Sequence, residues 1–348
     1  MKKEGHILRV VAFLIGIIIF VYTIYKFGGV RLIATNLAEM RYYYGLIALN
    51  SFVWMLFYTG AWQQMFRGLK EKISFSKLFR IKLCGEGVNF MTPLGFMAGD
   101  PIRLLLLKKH FGPEARLRSV VVDRTLHSLA AQYFNIIGLS LIFTQTIAFP
   151  LWMLISLLIL YIFICAILTI LIVRMTTGKG FGIFEKLFIW IKLEKRFPKA
   201  HDLLCELRTN LNYYRDRPKY PFFVAFTYHF IGRFLMAVEI MIACYCFTSQ
   251  FDLVFSVILA SLTSFFAVAF GFIPGALGIL ETMYAQFFTL YGYPPDMGIT
   301  IQIVRRMRVL FWVGIGIMLL DYESIGDYTK KLRNSKILGR KTKKLTKS

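Results

Sequence analysis

Three arginines, Arg305, Arg306 and Arg308, stand inside one apolar run, ITIQIVRRMRVLFWVG, from Ile299 to Gly314. At helical spacing Gln302, Arg305, Arg308 and Trp312 share one face. A guanidinium at the centre of a bilayer costs on the order of 2.5–3.5 kcal/mol on insertion scales, so each must find an anion. A planar guanidinium fork is suited to phosphate. Two other apolar runs carry charge. VVVDRTLHSLAAQYFN places Asp123, His127, Ala131 and Asn135 on one stripe with Arg124 beside it, and YHFIGRFLMAVE sets His229 and Arg233 on one side and Glu239 on another.

Two further stretches combine charge with a broken backbone. NFMTPLGFMAGDPIR, Asn89 to Arg103, and FGFIPGALGILETMY, Phe270 to Tyr284, align Pro93 with Pro274 and Asp100 with Glu281, with Gly95 and Gly99 in the first and Gly275 and Gly278 in the second. Lipid offers no hydrogen-bond partners, so irregular backbone at depth needs protein or a water-filled cavity around it. Half-helices ending there direct amide N–H groups inward, which favours a phosphate or carboxylate. The competing explanation is that the glycines only permit close helix packing. For the arginines it is that Asp100, Asp123, Glu239 and Glu281 neutralise them within the chain. Against those four acids stand Arg103, Arg124, Arg233, Arg305, Arg306 and Arg308, which leaves a cationic surplus.

The elements that must position these groups follow from composition. With 57% hydrophobic residues and 34 phenylalanines, the chain reads as an all-α integral membrane protein. Six crossings are expected, at about 8–25, 45–66, 119–143, 150–173, 221–248 and 298–320, with broken segments at 76–107 and 252–292 as re-entrant hairpins. The net charge of +23 would suggest nucleic acid in a soluble protein. Here the basic residues gather in three blocks beside apolar segments, Arg67 to Arg118, Arg174 to Lys219 and Lys330 to Lys347, which suits anionic headgroups instead. All three fall on the cytoplasmic side if the N-terminus does, and the stretch from Ser249 to Gly298, without Lys or Arg, falls outside. The hairpins then enter from opposite faces, as in an inverted repeat. That repeat would comprise 45–143 and 221–320 within one membrane domain, 1–328, with a cytoplasmic loop at 174–219 and a basic cytoplasmic tail at 329–348. No cofactor, metal site or disulfide framework is expected from the five cysteines and the histidines.

TPLGFMAGDPIR, VVVDRTLH, FGFIPGALGILE and the arginines of the last span occur in an order that resembles the lysylphosphatidylglycerol synthase transmembrane, or flippase-like, family, over about 8–320. That family includes the membrane half of bacterial lipid-aminoacylating proteins, archaeal glycosylation-related proteins and hopanoid-associated proteins. The resemblance points to Pro93, Gly95, Gly99, Asp100, Arg103, Asp123, Arg124, Pro274, Gly275, Gly278, Glu281 and Arg305 or Arg306. Ala98 and Ala276 stand where glycine is usual, and the soluble synthetase half has no counterpart in the sequence.

The reading is a protein of the cytoplasmic membrane that moves an anionic phospholipid or polyprenyl-phosphate lipid between leaflets, rather than an enzyme. Arg103, Asp100, Arg124, Asp123, Arg305, Arg308 and Glu281 would bind the headgroup. The prolines and glycines of the two breaks would form gates, and His127, Arg233, Glu239, Gln302 and Arg306 would extend the cavity. Partners would be anionic lipids, with a second copy or a separate lipid-modifying enzyme as further candidates. A membrane-embedded transferase and a lipid-binding scaffold are the alternatives.

Overall fold

The computed structural model describes residues 14, 17–27, 29–91, 99–145, 151–176, 212–271 and 273–345. Pro93, Gly95, Ala98, most of the 174–219 loop and the first half of the 8–25 span lie outside them. Among the described residues every regular element is helical: α1 (Ile17–Lys26), α2 (Gly29–Glu39), α3 (Tyr43–Gln64), α4 (Phe75–Met91), α5 (Gly99–Leu106), α6 (Pro113–Leu141), α7 (Leu151–Thr176), α8 (Tyr220–Thr248), α9 (Leu253–Ala269), α10 (Ile279–Leu290) and α11 (Pro295–Leu345). Four stretches are long and apolar enough to cross a membrane, Gly29–Gln64, Pro113–Thr144, Leu154–Arg174 and Tyr220–Thr248. The remaining long helix, α11, holds the 298–320 segment, which its three arginines make more polar than those four.

The stretch between the first two expected crossings, 26–44, is largely helix. Ile33, Asn36 and Met40 recur at helical spacing and are buried, so α2 lays one face on the start of α11. Asn36 Nδ2 donates to Asp296 at 2.8 Å and fixes that contact. At the opposite extreme, α7 is apolar on every side yet leaves Trp152, Ile159 and Phe163 more than 60% exposed. Such a surface is stable only against lipid.

Between helices in lipid there is little hydrophobic drive, so contact depends on small residues that let backbones approach. The central pair, α3 and α8, interlocks reciprocally: Gly60 of α3 receives the Tyr228 ring, and Gly232 of α8 receives Tyr58. On α11, a Cβ at Gly316 would come within 2.4 Å of the Leu83 carbonyl oxygen of α4. Between α6 and α9, a Cβ at Gly138 would meet Ser261 Oγ at 1.9 Å.

The two broken segments turn by different devices. After the first, the Gly99 amide donates to Asn89 Oδ1 at 2.6 Å, so a side chain of α4 caps α5 and folds it back on α4. In the second, Gly275, Ala276 and Gly278 have φ of 61°, 46° and 80°, all in the left-handed region, before Glu281 caps the Gly278 amide at 2.8 Å. Ala276 therefore occupies a conformation that costs a residue with a Cβ roughly 1–2 kcal/mol. That supplies a physical reason for glycine being usual there, and α10 packs chiefly on α11 rather than back on α9.

Thermal unfolding in detergent should separate these effects. Gly316→Ala is expected to destabilise by about 1–3 kcal/mol through overpacking. Gly314→Ala, with no atom within 4 Å of the new Cβ, is expected to be neutral or slightly stabilising. Ala276→Gly is expected to stabilise by about 1 kcal/mol, and a lower midpoint would contradict the strain assigned to that turn.

Candidate functional site

Helical spacing builds the site. Trp54 and Tyr58 of α3, Lys82 and Glu86 of α4, Asp123 and His127 of α6, and Arg308 and Trp312 of α11 are each four residues apart, so each helix turns two side chains to the same space. Arg103 of α5, Arg124 of α6, Arg233 of α8 and Gly271 and Gly275 of the second break complete the wall of a cavity of about 400 Å³. Glu86 keeps 44% of its side chain exposed while its partner Arg103 keeps 2%, so the cavity is open beside a buried guanidinium.

Four ionic clusters account for the charges. In the first, Arg103 bonds Glu86 at 2.5 Å and Asp100 at 3.0 Å, and Arg124 bonds the same Asp100 at 2.9 Å. Asp100 sits in the first turn of α5, where the helix dipole favours a carboxylate. In the second, Glu239 is fully buried and accepts from Arg305 at 3.3 Å and Arg308 at 3.1 Å. The third pairs Arg306 with Glu281, and Arg306 also reaches the Gly275 carbonyl at 3.1 Å.

The fourth is a chain of side chains. Arg233 Nη2 lies 2.8 Å from His127 Nε2, His127 Nδ1 is 3.2 Å from His229 Nδ1, and His229 Nε2 is 3.0 Å from Asp123 Oδ1. Lys82 Nζ completes it, 3.5 Å from Asp123 Oδ2, and donates to the Tyr58 carbonyl at 2.6 Å.

The acids of the chain thus take up most of the arginines expected to face a ligand. Arg305 bonds Tyr284 Oη, Glu239 and Gln302 and is not among the residues that line the cavity, unlike Arg308. Glu281, expected at a headgroup, is fully buried between a cap and Arg306. Of the four arginines on the cavity wall one differs: Arg233 touches an imidazole but no carboxylate, and its Nε has no partner. Arg103 Nε and Trp54 Nε1 are likewise buried without acceptors. Five basic side chains line the cavity against two carboxylates, Glu86 and Asp123. No group of three or more His, Cys, Asp or Glu among the described residues is arranged to hold a metal.

Lys82, Glu86, Asn89, Trp54 and Tyr58 were not expected here. The i, i+4 pair of Lys82 and Glu86 in KLCGEGVN was a legible signal, hidden because Lys82 falls within a basic block assigned to the membrane surface. His229 was visible beside Arg233, but its partner on α6 is a tertiary fact.

A curated relative, described as a UPF0104 membrane protein, from Methanothermobacter thermautotrophicus, is 24% identical over 338 residues, covering 92% of this chain and 96% of the relative. No solved structure matches the chain. The family model for the lysylphosphatidylglycerol synthase TM region matches residues 9–316. With its motifs in order along an all-helical frame, the chain belongs to the lysylphosphatidylglycerol synthase TM region family of membrane proteins.

Proposed function

We propose that this protein moves an anionic lipid, a phospholipid or a polyprenyl phosphate, between the leaflets of the cytoplasmic membrane, with the headgroup in the cavity between α3, α4, α6, α8 and α11. The observation that carries the reading is the excess of cations on the cavity wall, with Arg233 free of any carboxylate among the described residues. Buried donors without acceptors favour an anion that completes them.

The surroundings favour an amphiphile over a free ion. On the other side of the second break lies an apolar cavity of about 480 Å³, lined by Phe265, Phe266, Phe270 and Ile279. Gly271 and Gly275 face the charged cavity while Phe270 and Ile279 face the apolar one. A headgroup and its chain would lie on either side of that turn.

In this reading six helices cross, the two breaks are re-entrant hairpins, and 45–143 and 221–320 are inverted repeats with both termini cytoplasmic. Support for the two-fold comes from pairing: α3 packs on α8, while α4 packs on α11 as α9 packs on α6. Equivalent acids are also held in equivalent ways, Asp100 by Arg124 of the following long helix and Glu281 by Arg306 of its counterpart. The basic blocks favour cytoplasmic termini.

The reading is tested in liposomes with fluorescent phosphatidylglycerol and a membrane-impermeant quencher. Arg233→Gln orphans no carboxylate, so it should fold and lower the translocation rate at least tenfold; an unchanged rate in a folded variant would reject the site. Glu239→Gln should act on stability instead. It leaves Arg305 and Arg308 without their shared anion, and a loss of about 3–5 kcal/mol is expected in thermal unfolding.

A further inference from the structure

The chain from Arg233 to Asp123 has a fixed direction. A guanidinium only donates and a carboxylate only accepts. Arg233 therefore makes His127 Nε2 an acceptor, which puts the hydrogen of that ring on Nδ1, facing His229 Nδ1 at 3.2 Å. His229 must then accept at Nδ1 and donate from Nε2 to Asp123 Oδ1, 3.0 Å away. Both rings are neutral in this arrangement, and every hydrogen position is set by the two ends.

Of the two rings only His127 lines the wall, while His229 is fully buried, so a proton from the cavity reaches the imidazoles at His127 Nε2. That nitrogen is covered by Arg233. Once it carries a hydrogen, two donors face each other and the guanidinium must leave. If the two bridging hydrogens then shift along the chain, the charge passes to His229 or neutralises Asp123, but Nε2 keeps its hydrogen and Arg233 stays displaced.

The charged groups around His127 single out this contact. Its own helix carries Asp123 and Arg124, α8 carries His229 and Arg233, and α3 brings the Tyr58 ring to 4.9 Å. From α4 come Lys82 and Glu86, from α5 Arg103 and from α11 Arg308, while α9 has no ionisable side chain. Every cation in that set except Arg233 is within ion-pair distance of a carboxylate. Within that set Arg233 alone can turn to an arriving anion without breaking an ion pair.

We propose that anion capture by Arg233 and proton uptake by His127 are a single linked event, so that the cavity takes up one proton with each anionic headgroup. An anion that draws Arg233 away uncovers Nε2, and a proton on Nε2 releases Arg233 to the anion. The two bindings favour each other by the same factor. This rests on reading the cavity as a headgroup site, and it adds the proton as the ion that accompanies the lipid.

Short-chain phosphatidylglycerol is the probe, because a phosphodiester does not titrate between pH 5.5 and 8 and any pH effect belongs to the protein. Calorimetric titration of the detergent-solubilised protein in buffers of different ionisation enthalpy reads the protons taken up per lipid bound. Close to one proton is expected, with Kd falling by up to tenfold for each pH unit lowered. In His127→Gln the proton uptake and the pH dependence of lipid binding should both be lost. Binding by the wild-type protein without proton uptake overturns the linkage and leaves the headgroup site standing, and uptake that persists in His127→Gln overturns the assignment to that ring. No binding at any pH removes the site and the linkage together. The wild-type measurement decides even if the variant does not fold.

Discussion

A guanidinium inside a membrane must have an anion close by, and the packing of this protein is organised around that requirement. Glu239 of α8 draws two arginines of α11 to it, Asp100 ties α5 to α6, and Glu281 ties α10 to α11. The first of these contacts joins helices far apart in sequence, and the other two join consecutive helices. Their energetic worth lies less in net attraction than in the cost of separating them, since each partner alone would be a buried charge. Separately from those pairs, glycine contacts bring the backbones of α3 and α8 and of α4 and α11 close together.

The cavity is where the requirement is left incomplete. Its wall contains Lys82, Arg103, Arg124 and Arg308 with carboxylates and Arg233 with an imidazole in place of one. An imidazole is a weak substitute for an anion, since it offers one lone pair and no charge. It can also be released without leaving a carboxylate buried alone. A neutral partner that is easily exchanged is what a site needs if it is to take and release anions in turn, and the apolar cavity across the second break offers room for the chain attached to such a headgroup.

Much of this was legible in the residues. The charges of the last span, the Asp123 and His127 stripe, the two broken segments and the family resemblance all led to helices that meet around a charged space. Three things were not. Pairing between helices is tertiary, so the contacts of Arg305 with Glu239 and Tyr284 cannot be read from its place in the last span. Lys82 was hidden by the basic residues around it, which read as a membrane-facing block. The helix over 29–39 was missed because its buried stripe is short and includes Asn36, a polar residue whose burial makes sense only beside Asp296. Ala276 shows the reverse case: the departure from glycine was visible in the sequence, and its left-handed φ explains why it matters.

The central claim is that Arg233 exchanges His127 for a lipid phosphate. A cryo-EM map of the protein in nanodiscs rich in phosphatidylglycerol tests it directly. The account predicts headgroup density against the Arg233 guanidinium, with the Arg233 to His127 contact opened beyond hydrogen-bond distance. A lipid-saturated map with that contact intact and only water in the cavity would contradict it.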